Sequence, residues 1–104
     1  MIIFSVQLIL RVRWFKEFLG LAIDQKSENQ LYPLTSYYVW PKTEAWEQLK
    51  LELDSRPWLS KKDKIQVLNI TTETINYWKK NRELESREDF FPNPSNINFI
   101  DIQN

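Results

Sequence analysis

The chain has 104 residues, in which 14 Lys and Arg balance 14 Asp and Glu, and it contains no Cys, no His and a single Gly. This composition excludes zinc sites built from thiolate or imidazole, Cys or His nucleophiles, His-dependent triads and glycine-rich phosphate loops. The length suits one domain, and the neutral charge balance argues at first against a general nucleic-acid-binding protein, which usually carries a basic excess.

The first predicted element is a strand near the N-terminus. Residues 1–10 form an apolar run that lacks both the basic start and the small-residue cleavage site of a signal peptide, and the run is too short to cross a bilayer. Residues 8–14 alternate apolar and polar side chains, which predicts a half-buried strand with Arg11 and Arg13 on its polar side. Residues 19–24 alternate in the same way, so the two segments predict an antiparallel hairpin.

A loop and a third strand follow in the prediction. Residues 25–34 are polar and include a Pro, which predicts a loop. The β-branched and aromatic segment from Thr35 to Trp40 predicts a third strand, which Pro41 ends.

Two helices come next. Thr43 is expected to cap a first helix that ends near residue 55. The inner face of this helix is predicted to carry Trp46, Leu49 and Leu53. Ser60 begins a variant capping box ahead of a second helix that runs to about residue 81. The predicted apolar stripe of the second helix consists of Ile65, Val67, Leu68, Thr72, Ile75 and Trp78.

The helical pattern is lost after Arg82, where the chain becomes acidic and then rich in Phe, Pro and Asn. Residues 97–102 could form an edge segment or lie along a partner. We therefore expect an α+β fold, in which a small antiparallel sheet (an N-terminal hairpin plus a third strand) packs against a two-helix hairpin, with an irregular C-terminal tail. Residues 1–82 would form a single α+β domain and residues 83–104 an acidic, Pro/Asn-rich C-terminal extension.

Five segments carry a resemblance to a known family. They read LAIDQ at 21–25, PLTSYYVWP at 33–41, AWEQLK at 45–50, RPW at 56–58 and INYW at 75–78. With its tryptophans and prolines in this order, the chain resembles the plastid-specific small-subunit ribosomal protein three family of algal plastids and cyanobacteria, over roughly residues 11–80.

The resemblance implies a structural constituent of the chloroplast small ribosomal subunit, bound to ribosomal RNA, to neighbouring ribosomal proteins, or to both. The protein would be ribosome-bound in the plastid stroma. It would have no enzymatic activity, cofactor, metal, membrane or small-molecule substrate. The alternative is a protein-docking assembly or translation-regulatory factor that associates transiently with the subunit.

The candidate RNA-binding residues are cations, and the neutral total conceals where they lie. Residues 56–82 hold seven Lys and Arg against two acids, whereas residues 83–104 hold one against five. The candidates are Arg11, Arg13, Arg56, Lys61, Lys62, Lys64, Lys79, Lys80 and Arg82. The three lysines at 61–64 occupy a helix start, where the dipole disfavours cations, so either a bound phosphate or a solvated cluster fits them.

Aromatic side chains give the second set of candidates. Trp14, Trp46 and Trp78 share faces with apolar neighbours, so we predict that they belong to the core rather than stack on RNA bases. The candidate protein-docking residues are Tyr37, Tyr38, Trp40 and Trp58.

Overall fold

The computed structural model describes residues 7–81 and 97–101. The predictions for residues 1–6, and those for Arg82 and the acidic part of the extension, lie outside these ranges. The elements, in chain order, are β1 (Gln7–Trp14), β2 (Leu19–Ser27), β3 (Gln30–Pro33), β4 (Tyr38–Trp40), α1 (Ala45–Asp54), α2 (Lys61–Asn81) and β5 (Ile97–Asp101). The predicted α+β class is confirmed.

The sheet is built around β2, which has three neighbours. The strand order is β3-β2-β1-β5. β3 and β4 share one edge of β2, where β3 pairs with its C-terminal half and β4 with its N-terminal half. The predicted hairpin is confirmed, because β1 and β2 pair antiparallel from Gln7 opposite Lys26 to Trp14 opposite Leu19. β5 pairs parallel to β1, so residues 97–101 form the edge segment that was one of the two alternatives.

The predicted loop over residues 25–34 is wrong. β2 continues to Ser27, and a tight turn at Glu28 and Asn29 leads directly into β3. Both turn residues have positive φ, 53° and 66°, as hairpin turns of the primed type require. The side chains of β3 are exposed, so the strand has no apolar alternation by which the sequence would have revealed it.

The predicted third strand is shorter than expected, because regular pairing begins only at Tyr38. Before that point, Thr35 uses its side chain in place of a ladder bond. Its Oγ1 accepts the backbone N–H of Ile23 at 2.9 Å, while the backbone N–H groups of Leu34 and Thr35 both donate to the Ile23 carbonyl. A buried hydroxyl thus fastens this segment to β2.

The turn at Glu28 gives a stability prediction. A non-Gly residue with left-handed backbone geometry costs roughly 1–2 kcal/mol, and Asn tolerates this geometry better than Glu. We expect Glu28→Asn to raise the free energy of unfolding by about 0.5–1 kcal/mol, measured by urea denaturation. As the control, Asn29→Ala removes a residue that tolerates positive φ and should lower the urea concentration at the unfolding midpoint. An unchanged or lower midpoint for Glu28→Asn would contradict this interpretation.

The core lies between one face of the sheet and the two helices. Along β1 the buried positions alternate as predicted, and the inner positions Leu49 and Leu53 of α1 are buried. Trp14 and Trp78 are buried, and Trp46 packs against the core from its edge, which confirms the core prediction for these three rings. Neither of the two helices in the described ranges combines the length and apolarity needed to cross a membrane.

The predicted stripe of α2 is partly wrong. Ile65 and Thr72 are exposed, whereas Thr71 and Thr74 are buried at helical spacing between Val67 and Trp78. The hydroxyls of both buried threonines donate at 2.8 Å to the carbonyl four residues earlier. Because the helix itself satisfies these hydroxyls, a Thr can occupy an inner position without a cost for an unpaired polar group.

The two predicted helix caps have different outcomes. The Thr43 cap is wrong, because α1 has Glu44 at its N-cap position and no side-chain cap. The Thr43 hydroxyl instead donates to the Val39 carbonyl at 2.7 Å and closes the turn that enters the helix. The Ser60 cap is confirmed, since its Oγ accepts the backbone N–H of Asp63 at 3.1 Å.

Candidate nucleic-acid interface

The candidate cations that the structure describes lie on three separate surfaces. Arg11 and Arg13 lie on the sheet face that points away from the helices, which we call the open sheet face. A second group lies at or just before the start of α2, namely Arg56, Lys61, Lys62 and Lys64, and a third at its end, Lys79 and Lys80. At a rise of 1.5 Å per residue, the lysines at the start and at the end of α2 are roughly 25 Å apart, so the cations do not form one patch.

Arg11 is bound within the protein. Its Nε donates to Asp24 Oδ2 at 2.9 Å, and its Nη2 donates to Asp24 Oδ1. Asp24 is only 2% exposed, so the guanidinium neutralises a buried carboxylate. The hydrogen bond to Asp24 raises the pKa of Arg11 above its ordinary value. This arginine therefore serves the fold before any partner binds.

Tyr37 lies between the two arginines of the open sheet face. Its ring centroid is 4.3 Å from the Arg13 guanidinium and 5.3 Å from that of Arg11. The single glycine makes room for this arrangement, because a Cβ at Gly20 would lie 3.3 Å from Arg13 Cβ and 3.7 Å from Tyr37 Cδ1. The Arg13 side chain stays exposed and forms no ion pair among residues 7–81.

Arg56 and Trp58 lie in the link between α1 and α2. Arg56 Nη2 donates to the Leu34 carbonyl at 2.7 Å, and its guanidinium lies 5.9 Å from the Trp58 ring centroid. The Trp58 indole N–H donates to Gln25 Oε1 at 2.8 Å, and the side chain is nevertheless 57% exposed. The ring is thus held in place without being covered.

The lysines at the start of α2 differ in their partners. Lys64 Nζ lies 3.3 Å from Asp54 Oδ1, and Lys50, one turn before Asp54 in α1, lies 2.7 Å from Oδ2. These bonds, that of Lys50 foremost, lower the pKa of Asp54. Lys61 and Lys62 are exposed and belong to no ion pair within the described ranges.

A cleft of about 220 Å³ opens between β4, α1 and α2. Its walls are formed by Trp40, Trp46, Thr72, Ile75, Asn76 and Lys79. Lys79 Nζ lies 5.2 Å from the Trp40 ring centroid, and the Trp46 indole N–H donates to the Leu68 carbonyl at 3.2 Å. The Trp40 Nε1 is buried and has no hydrogen-bond partner within residues 7–81.

The four candidate docking aromatics are not equivalent. Tyr37, Tyr38 and Trp40 are half-buried, and Trp58 is the exposed member of the set. The Tyr38 hydroxyl donates to Glu52 Oε2 at 2.7 Å, which raises the pKa of Tyr38. The Tyr38 hydroxyl therefore attaches β4 to α1 in addition to any contact with a partner.

An exposed polar stripe on α2 was missed by the sequence reasoning, which considered only its lysines. It consists of Lys62, Gln66, Asn69, Glu73, Asn76 and Lys80, all exposed and spaced to share one helix face. We call it the amide–lysine stripe. Its helical spacing was readable in the sequence, but the prediction that Ile65 and Thr72 point inwards obscured which face of α2 pointed outwards.

Two comparisons with known proteins agree on one family. The model of a family described as plastid and cyanobacterial ribosomal protein (PSRP-3 / Ycf65) matches residues 34–81, from just before β4 to the end of α2. The chain is also 43% identical over 93 residues to the small ribosomal subunit protein cS23 of Gracilaria tenuistipitata var. liui, a match that covers 86% of this chain and 91% of that protein. The chain belongs to the PSRP-3/Ycf65 family. The resemblance stated from the sequence is thereby confirmed.

Relatives in this family come from both plastids and cyanobacteria, as the family description states. The chain is 43% identical over 88 residues to the small ribosomal subunit protein cS23 of Cyanidium caldarium, covering 85% of this chain and 82% of the relative. It is 43% identical over 86 residues to the probable small ribosomal subunit protein cS23 of Synechococcus sp. (strain JA-2-3B'a(2-13)), covering 80% and 87%. These matches extend beyond the helices into the sheet, so the PSRP-3/Ycf65 relationship covers most of the chain.

Proposed function

We propose that the chain is a structural constituent of the small ribosomal subunit of a plastid, and that it acts there by binding ribosomal RNA and neighbouring ribosomal proteins rather than by catalysis. Family membership and the names of its relatives support the subunit assignment. Ribosome-bound residence in the plastid stroma follows from the same proposal. The amide–lysine stripe on α2 is the observation that carries the RNA contact.

The stripe suits an RNA backbone in both charge and hydrogen bonding. Lysines at its two ends can neutralise phosphates, and the amides of Gln66, Asn69 and Asn76 can bond to phosphate oxygens and 2′-hydroxyls. Glu73 is its single acid. A rigid helix that presents these groups in line offers a preorganised contact, which reduces the entropy lost on binding.

The remaining candidate RNA-binding cations fall into two groups, according to whether they already bond to other residues of the protein. Arg13, Lys61 and Lys79 remain accessible as further phosphate contacts in this proposal, whereas Arg11, Arg56 and Lys64 bond within the protein and mainly support the fold. The cleft beside Trp40 is the proposed contact for a single side chain of a neighbouring protein, because Trp40, Trp46 and Ile75 give it largely apolar walls.

Stoichiometry tests the proposed function against a transient assembly or regulatory factor. We expect one copy per purified small subunit by quantitative mass spectrometry, retained through a moderate-salt wash. Substoichiometric amounts confined to immature particles would instead favour the transient factor, and a chain found wholly outside ribosomal fractions would refute both.

The amide–lysine stripe gives a prediction for the salt dependence of RNA binding. Each phosphate contact steepens the plot of log affinity against log salt by about 1. The double variant Lys62→Gln/Lys80→Gln should therefore flatten the slope for binding to deproteinised small-subunit RNA by about 2. Lys42→Gln, at an exposed lysine before α1, is the matched control and should leave the slope nearly unchanged. Equal slopes for wild type and the double variant would place the RNA contact elsewhere on the protein.

A further inference from the structure

Trp58 combines exposure with a fixed position, which is unusual for a large ring at the surface. More than half of its side chain is open to solvent, although the indole N–H is bonded to Gln25 of β2. Because this bond restrains the ring before any partner arrives, little side-chain entropy remains to be lost on binding. The ring is therefore prepared for a contact that residues 7–81 do not supply.

A second aromatic ring lies beside the same anchor. Tyr32 of β3 is the register partner of Gln25 and shares its face of the sheet, and it is 47% exposed. Side chains directly opposite on paired strands have Cβ atoms roughly 5 Å apart. Gln25 thus lies opposite one exposed aromatic residue in β3 and is bonded to a second, Trp58, from the link before α2.

Cations precede and follow Trp58 along the chain. The Arg56 guanidinium lies over Trp58, and Lys61 and Lys62 follow three and four residues later, exposed and outside any ion pair in the described part of the chain. Asp54, four residues before Trp58 in the sequence, is already bonded to Lys50 and Lys64.

We propose that Trp58, with Tyr32 beside it, is a stacking platform for an unpaired nucleotide of RNA. Aromatic rings that stack on splayed-out bases, flanked by cations for the adjoining phosphates, are the means by which proteins hold single-stranded RNA. Lysines are depleted at the centres of protein–protein contacts, so the charges favour RNA over a protein partner. This proposal rests on the proposed function and adds the structural class of RNA: a loop, bulge or end rather than a continuous duplex.

The test uses small subunits stripped of this chain and rebound at saturation with the full-length protein. Acylation of RNA 2′-hydroxyls reports which nucleotides are held rigid. We expect wild type and Trp58→Phe to protect at least one unpaired nucleotide that becomes reactive again with Trp58→Ala. The affinity of Trp58→Ala for the stripped subunit should also be weaker by roughly 5- to 150-fold, the range for losing one stacked base.

Leu51→Ala is the matched control, because Leu51 is also a large exposed apolar side chain but belongs to α1 rather than to the link before α2. It should protect the same nucleotides as wild type. Identical reactivity with Trp58→Ala and wild type would overturn the stacking proposal while leaving the subunit assignment intact, as would a Trp58→Ala effect confined to crosslinks with a neighbouring protein. Failure of the wild-type chain to rebind at all would instead overturn the proposed function, and this inference with it.

Discussion

Trp78→Ala is expected to lower the free energy of unfolding by about 3–5 kcal/mol. The side chain is 2% exposed, and its removal would leave a large cavity between α2 and the sheet. Its indole N–H also donates to the Phe15 carbonyl at 2.7 Å, which fastens the end of α2 to the turn after β1. Small domains are stable by only about 5–15 kcal/mol. A large fraction of the variant molecules should therefore be unfolded at urea concentrations at which the wild type remains native.

Two further substitutions separate the causes of this loss. Trp58→Ala removes the same side chain from an exposed position, where it forms one hydrogen bond to Gln25, and should lower the free energy of unfolding by only about 0.5–1.5 kcal/mol. Trp78→Phe retains most of the buried ring but removes the donor to Phe15, so an intermediate loss is expected. Equal losses for Trp78→Ala and Trp58→Ala would show that burial of Trp78 does not stabilise the fold as we describe.

Arg11→Met is expected to destabilise the protein by about 3 kcal/mol, because it leaves the Asp24 carboxylate buried without its cation. The figure lies at the low end for a broken buried pair, since the Arg11 side chain is itself 26% exposed. Asp24→Asn should cost less, because the guanidinium can still reach solvent. The free energy of unfolding of each variant is measured by urea denaturation.

The double variant Arg11→Met/Asp24→Asn completes this thermodynamic cycle. It removes both charges, so it should recover a large part of the loss caused by Arg11→Met alone. Strictly additive losses would mean that the two side chains do not interact energetically. A comparable loss of RNA affinity in Arg11→Met, after correction for the unfolded fraction, would show that Arg11 also contacts RNA directly.

The sequence predicted those parts of the fold in which one face is apolar at a regular period. The β1–β2 hairpin, both helices and the buried positions Leu49 and Leu53 follow from period-2 and helical patterns. β3 could not be predicted in the same way, because its side chains are exposed and Glu28 is an uncommon residue for a primed turn. The burial of Thr71 and Thr74 depends on hydroxyl bonds that form only within the helix.

The sequence indicated which residues were candidates for the site, but not which of them contact one another in the folded protein. Arg11 and Asp24 are 13 positions apart, and only strand register shows that they bond. In the same way, the bond between Trp58 and Gln25 joins two elements that sequence reasoning treated separately. Charge counting identified residues 56–82 as basic, and the structure shows that Lys64 of this segment is paired with Asp54, whereas Lys61 and Lys62 form no ion pair within residues 7–81.

The parallel pairing of β5 with β1 has a consequence for the order in which the fold is completed. A protein is synthesised from its N-terminus, so β1 meets β2 early, whereas its opposite edge receives β5 only after both helices have been made. During that interval, the backbone donors and acceptors along this edge of β1 are available to any extended segment nearby. Pairing of β5 therefore ends the period in which this edge of β1 is open to mispairing. It also makes the native sheet depend on a segment outside the region that the family model matches.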